Sequence, residues 1–190
     1  MIVVAIVGIL SSVAIPQFLG FRGRARQSEV KVNLRSWYMS ETVLYTEKGH
    51  FAEEIVEHGY APTDGNRYAY LFSASCAYEV RTTPLVVPSN ANCVSVDLRR
   101  FPTSPIAHAA AAFSPTFTGA GPDPGTPGFA GPCPNCNIGA MATANLDNEL
   151  TGIDTWYIST KMGTAAACGA SNTVVAIGMP FQIKNDVECN

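Results

Sequence analysis

No charged residue stands between Met1 and Phe21, and charge is sparse elsewhere, at 14% of the 190 residues. A soluble domain rarely leaves so long an apolar run uncharged, so this stretch cannot be ordinary surface. Nothing basic precedes Ile2 and no small-residue cleavage site follows Ile15, so a secretory signal peptide fits poorly. The chain holds three histidines, His50, His58 and His108, scattered and without a nucleophile setting nearby. It has no phosphate loop, no dinucleotide glycine motif and no repeated metal-ligand spacing. These absences remove the usual signatures of nucleotide-dependent, hydrolytic and metal chemistry. The expectation is a protein without catalysis and without a cofactor.

What is present is a hydrophobic spike followed by a soluble-looking head. As a helix the first 21 residues rise roughly 30 Å, about the thickness of a bilayer's hydrocarbon core. Gly8 and Pro16 weaken that helix, by roughly 1 and 3 kcal/mol relative to Ala. A plain membrane anchor gains little from such weak points. A helix that first sits in a membrane and later packs against copies of itself accounts for them better.

Charge is distributed unevenly. Arg22, Arg24, Arg26, Lys31 and Arg35 against Glu29 make a +4 collar directly after the spike. From Ser36 onward 7 basic residues face 14 acidic ones, a net of −7. The collar by itself argues for a cytoplasmic head by the positive-inside rule. Six cysteines argue for an oxidising compartment, and they decide for an exported head. An acidic head also disfavours nucleic-acid phosphates.

Apolar residues recur at Val30, Leu34, Trp37/Tyr38 and Leu44/Tyr45, which predicts that the helix continues to Lys48 with Gly49 as its cap. Residues 49–67 read as a polar connection whose Glu53, Glu54, Glu57 and His58 form a solvated face rather than a metal site. Strands are predicted at 68–72, 78–82, 94–98, 138–145, 154–160, 173–177 and 181–183. The two around residue 150 form a hairpin, and Asp147, Asn148, Glu149 and Asp154 make a turn rather than a calcium site. Residues 101–134 carry eight prolines and predict an irregular surface excursion. Tyr60, Tyr68 and Tyr70 are expected in the core. The cysteines allow 15 pairings. Joining sequence neighbours, Cys76–Cys93, Cys133–Cys136 and Cys168–Cys189, closes three separate loops. Cys-Pro-Asn-Cys at 133–136 fits a structural disulfide better than a redox or zinc motif, since no second ligand pair exists.

The run Ile-Val-Val-Ala-Ile-Val-Gly-Ile-Leu-Ser-Ser-Val-Ala-Ile-Pro-Gln-Phe (2–18), continuing through the Arg-rich turn, resembles the N-terminal helix of type IVa pilins. The likeness covers about 48 residues; beyond them it extends only to the general plan, that of a large major pilin. In that family the mature chain opens on a methylated Phe with a Glu shortly after, behind a basic leader. The pattern places that Glu just upstream of Met1, so no processing or methylation residue is assigned here. The resemblance implies an α+β pilin fold. Residues 1–48 form a helix with a protruding apolar half (1–21) and an amphipathic half on an antiparallel sheet. Residues 49–190 form the head, with a disulfide-bonded C-terminal loop that Cys168–Cys189 would close.

By the same resemblance the chain polymerises with itself into a surface filament. Ile2, Val3, Ile6, Leu10, Val13 and Phe18 would pack the filament core, and the stretch from Gly8 to Pro16 would loosen. The implied partners are further copies, the inner membrane before assembly, the pilus assembly machinery, and surfaces or extracellular matrix; no specific nucleic acid is implied. The filament would serve twitching-type motility and adhesion. A minor pilin or pseudopilin of a secretion system, or a membrane-anchored binding domain, would share the spike.

Overall fold

The computed structural model describes residues 2–112, 115–146, 153–164 and 174–187. One helix, α1 (Ile2–Lys48), makes up a quarter of the chain and runs unbroken through Gly8 and Pro16. It ends at Gly49, whose left-handed φ of 77° lets its N–H close onto the Tyr45 carbonyl at 2.9 Å.

From Gly23 onward α1 docks on the head through one stripe. Gly23, Gln27, Val30, Leu34, Trp37, Glu41 and Leu44 are all buried. Their spacing alternates four and three residues without a break, which keeps one face of a helix toward one surface. Gly23 lies where Val187 comes against the helix; a Cβ there would stand 2.7 Å from a Val187 methyl carbon. Trp37 stacks on Phe72 with ring centroids 5.5 Å apart.

The surface that receives α1 is a seven-stranded sheet. Its strands are β1 (Ala69–Leu71), β2 (Tyr78–Glu79), β3 (Cys93–Val94), β5 (Gly128–Ala130), β6 (Asn137–Ala144), β7 (Asp154–Ser159) and β9 (Phe181–Lys184). The order is β2-β3-β1-β6-β7-β9, with β5 also paired to β6. Pairing is antiparallel except between β2 and β3, beside which a disulfide joins Cys76 to Cys93. A short second sheet pairs β4 (Thr116–Thr118) with β8 (Met162–Thr164).

All eight residues of β6 are buried, so both of its faces are covered. Ile138, Ala140, Ala142 and Ala144 face the core shared with α1, where Trp156 and Ile158 of β7 join them. Small residues here admit the bulk of Trp37, Tyr68, Tyr70 and Phe72. Met141 on the other face packs with Tyr157, Phe181 and Ile183. Gly139 on that face is held by sterics. A Cβ would strike the Tyr157 hydroxyl and stand 2.7 Å from the Gly125 carbonyl oxygen. Tyr157 donates its hydroxyl hydrogen to that same carbonyl at 2.7 Å. Gly139→Ala is therefore expected to cost about 1–3 kcal/mol of stability, read by thermal unfolding.

The 101–134 stretch, mostly exposed, carries β4 and β5 and crosses the outer face of the main sheet. Phe117 packs 6.0 Å from Tyr157, and the Ala111 N–H donates to Thr155 Oγ1 at 3.2 Å. A second disulfide joins Cys133 to Cys136 within it. Expected strands also shorten: 78–82 to Tyr78–Glu79 and 94–98 to Cys93–Val94, while among the described residues of 173–177 only Val175 bridges, to Gly163. Cys168, Cys189, Asp147, Asn148 and Glu149 lie outside the described residues.

Candidate functional site

The part of the molecule that its own fold leaves unsatisfied is the spike. Ile2, Val3, Ile6, Leu10, Val13 and Phe18 are between 52% and 77% exposed. Val4, Val7, Ile9, Ile15 and Phe21 are open as well, so the apolar surface runs round the whole helix and not along one stripe. Periodicity could not have shown this, because a helix apolar on all sides carries no stripe to detect. The segment is long and apolar enough to cross a membrane, and none of it is buried by the head. Of its few polar residues, Ser12 is muted: its Oγ donates back to the Ile9 carbonyl at 2.7 Å. Left in water, such a surface calls for lipid or for further protein.

Below it the basic collar divides. Arg22 and Arg24 are exposed. The other three reach the chain's own head. Arg26 donates to the Leu146 carbonyl at 2.6 Å. Lys31 Nζ sits 5.0 Å from the centre of the Trp156 ring. Arg35 donates to the Gly178 carbonyl at 3.2 Å. The last two edge an open groove of about 650 Å³ floored by Trp156, Val175, Met179 and Phe181. The collar thus also clamps the helix to the sheet.

The connection after α1 is not a plain solvated face. Within it α2 (Ile55–His58) buries His58, whose ring meets Phe72 edge-on at 5.0 Å. Burial holds the imidazole neutral and lowers its pKa to about 4. Glu57 stays outside, accepting from His50 at 2.9 Å and Lys48 at 3.5 Å, while Glu53 accepts the Phe129 N–H at 2.8 Å. Among the described residues no three His, Cys, Asp or Glu side chains gather to hold a metal. Asp154 is turned inward, with both oxygens taken by protein donors, and is not free to bind calcium. Tyr60, Tyr68 and Tyr70 are buried.

The arrangement is a protruding apolar helix, a clamp at its exit, and a β-sheet head with no metal-holding cluster among the described residues. A family model described as Type IV pilin PilA matches residues 21–153, the docked helix and most of the head. The chain belongs to that pilin family. The type IV major pilin protein PilA of Myxococcus xanthus (strain DK1622) is 38% identical over 207 residues, spanning all of this chain and 90% of that protein. That comparison takes in the spike, which the family model does not reach. In this pilin the helix and the sheet have the relation that the resemblance of residues 2–18 implied.

Proposed function

We propose that this pilin is the repeating subunit of a type IVa pilus. The observation that carries the reading is the spike, apolar on every side and uncovered by the head. Before assembly, lipid of the inner membrane covers that surface. On assembly the surface passes from lipid to neighbouring spikes, with Ile2, Val3, Ile6, Leu10, Val13 and Phe18 among the contacts. Such a contact joins two different patches, so one repeated operation builds an open helix of subunits. The stretch from Gly8 to Pro16, helical in the single subunit, extends where the filament requires it, because its helical state is the least stable in the spike. The exported filament serves motility by extension and retraction, and adhesion to surfaces or matrix. Motors and the assembly machinery are separate proteins.

Electron microscopy of material sheared from cells, with antibody against residues 50–190, tests the reading. Long thin filaments labelled along their length support it; label confined to tips, or protein left wholly in membranes, refutes it. A Leu10→Ala/Val13→Ala/Phe18→Ala variant keeps a segment apolar enough to insert. It is expected to leave the membrane pool intact or raised while sheared filament falls at least tenfold. Pro16→Ala should also reduce filament yield, which a simple anchor would tolerate.

A further inference from the structure

Two arginines of α1 and two of the head meet where the spike leaves the fold. Arg67 lies in the electrostatic field of Arg22 and Arg100, and Arg26 in that of Arg67 and Arg22. Arg67 is held by stacking, its guanidinium carbon 4.3 Å from the centre of the Phe101 ring. Arg26 is tied to the Leu146 carbonyl, and Arg100 lies against Gly65, where a Cβ would stand 3.5 Å from its Cδ and Nη1. Two carboxylates stand near these cations: Asp97, which accepts the Gly65 N–H at 2.7 Å and is paired to Arg99, and Glu29. Glu29 accepts the Arg67 backbone N–H at 3.2 Å, and burial raises its pKa, which weakens it as a counter-ion. Among the described residues no carboxylate forms an ion pair with Arg22, Arg26, Arg67 or Arg100. Neighbouring arginines are treated differently: Arg99 is paired to Asp64 at 3.0 Å and Asp97 at 3.2 Å, and Arg81 to Glu79 at 3.0 Å.

Arg22 stands one residue below a segment without charge from Ile2 to Phe21, Arg26 one turn further down the helix, and Arg67 beside Glu29. On the exported side, basic residues at that depth run against the usual charge bias of membrane proteins, and an anion at the surface offsets it. Guanidinium groups present planar pairs of N–H donors that match phosphate oxygens. We propose that Arg22, Arg26, Arg67 and Arg100 bind the phosphate of an anionic phospholipid headgroup, fixing the depth and tilt of the unassembled subunit. The site rests on the reading that residues 2–21 occupy a membrane before assembly. It implies that filament assembly exchanges this lipid for protein.

The full chain in lipid nanodiscs tests the proposal. Flotation with vesicles of neutral phosphatidylcholine reads insertion of the spike alone. Native mass spectrometry of the chain released from mixed phosphatidylcholine and phosphatidylglycerol bilayers reads which lipid stays bound. The wild-type chain should retain phosphatidylglycerol above its bulk share. Arg67→Gln/Arg100→Gln should float unchanged but weaken phosphatidylglycerol retention about thirty-fold, the effect of two arginines near an anionic surface. Lys31→Gln/Arg35→Gln, which removes equal charge from the helix, should retain it. Unaltered selectivity in the first variant, or equal loss in the second, would overturn the site and leave only a diffuse basic collar. Failure to float with neutral vesicles would instead overturn the membrane reading, and the site with it.

Discussion

Asp154→Ala is expected to lower the unfolding free energy by about 3–5 kcal/mol, the largest effect of any single substitution in the head. Asp154 is fully buried at the start of β7. Its Oδ1 accepts from Gln27 at 3.1 Å, Gln182 at 2.7 Å and the Asp186 N–H at 3.3 Å. Its Oδ2 accepts from the Tyr68 hydroxyl at 2.5 Å and the Trp156 indole N–H at 2.7 Å. One carboxylate thereby joins α1, the residue before β1, β7, β9 and the segment after β9. Removing it strands several donors in a dry interior, and each stranded donor costs about 1–3 kcal/mol. Asp154→Asn should cost less, since the amide oxygen still serves three donors while the indole N–H loses its acceptor. Tyr68→Phe should cost least, because it removes one donor and strands none. Thermal unfolding of the full chain in detergent, followed by near-ultraviolet circular dichroism, orders the three. An Asp154→Ala midpoint within 2 °C of wild type would refute this account, since the expected drop is about 6–20 °C.

Glu41→Gln should act in the other direction and only at higher pH. Glu41 is fully buried beneath α2. Burial raises its pKa from 4.5 to about 8, the nearby charge of Glu57 adds to this, and the Ala52 N–H on Oε2 opposes it. Between pH 4.5 and 8 the folded chain therefore keeps a proton that the unfolded chain has lost. Stability must fall as pH rises through that window, by up to about 1.4 kcal/mol per unit. His58 works oppositely. Its pKa drops from 6.5 to about 4, so its contribution rises with pH between those values. The two slopes cancel up to pH 6.5, and wild-type stability should then decline to pH 8. Glu41→Gln is neutral at every pH and keeps the acceptor for the Ala52 N–H. It should abolish most of the decline and stabilise the head by a few kcal/mol at pH 8, with little change at pH 4. Glu29, also raised by burial, leaves a residual slope in the same sense. Denaturant midpoints at pH 5, 6.5 and 8 decide the matter. A Glu41→Gln chain that still loses stability as steeply as wild type above pH 6.5 rules the mechanism out.

Both residues show where reading the chain stopped short. The docking stripe of α1 was visible at Val30, Leu34, Trp37 and Leu44, because apolar side chains at helical spacing report burial directly. Gln27 and Glu41 occupy the same stripe but look like surface residues in a string of letters. Only the fold supplies their partners: Asp154 and Asn185 for Gln27, and the Ala52 N–H for Glu41. His58 was hidden the same way, by acidic neighbours that do face water. In the 101–134 stretch, proline and glycine correctly announced a lack of long strands. They carried no sign that Phe117 and the Gly125 carbonyl would cap Tyr157 from outside.

The sequence alone determined the plan of the molecule: a spike without charge, a helix that continues to Gly49, and a sheet whose outer strands carry aromatic and β-branched residues. Those features are local, set by hydrophobic periodicity and turn chemistry within a few residues. The tertiary structure alone decided which polar groups are buried together and which charges converge. Gln27, Tyr68, Trp156 and Gln182 reach one carboxylate, and Arg67 and Arg100 join Arg22 and Arg26 at the helix exit. The physical reason is range. A side chain's burial can be read from its own chemistry, but a hydrogen bond or a shared electrostatic field depends on a partner that only the folded chain brings near.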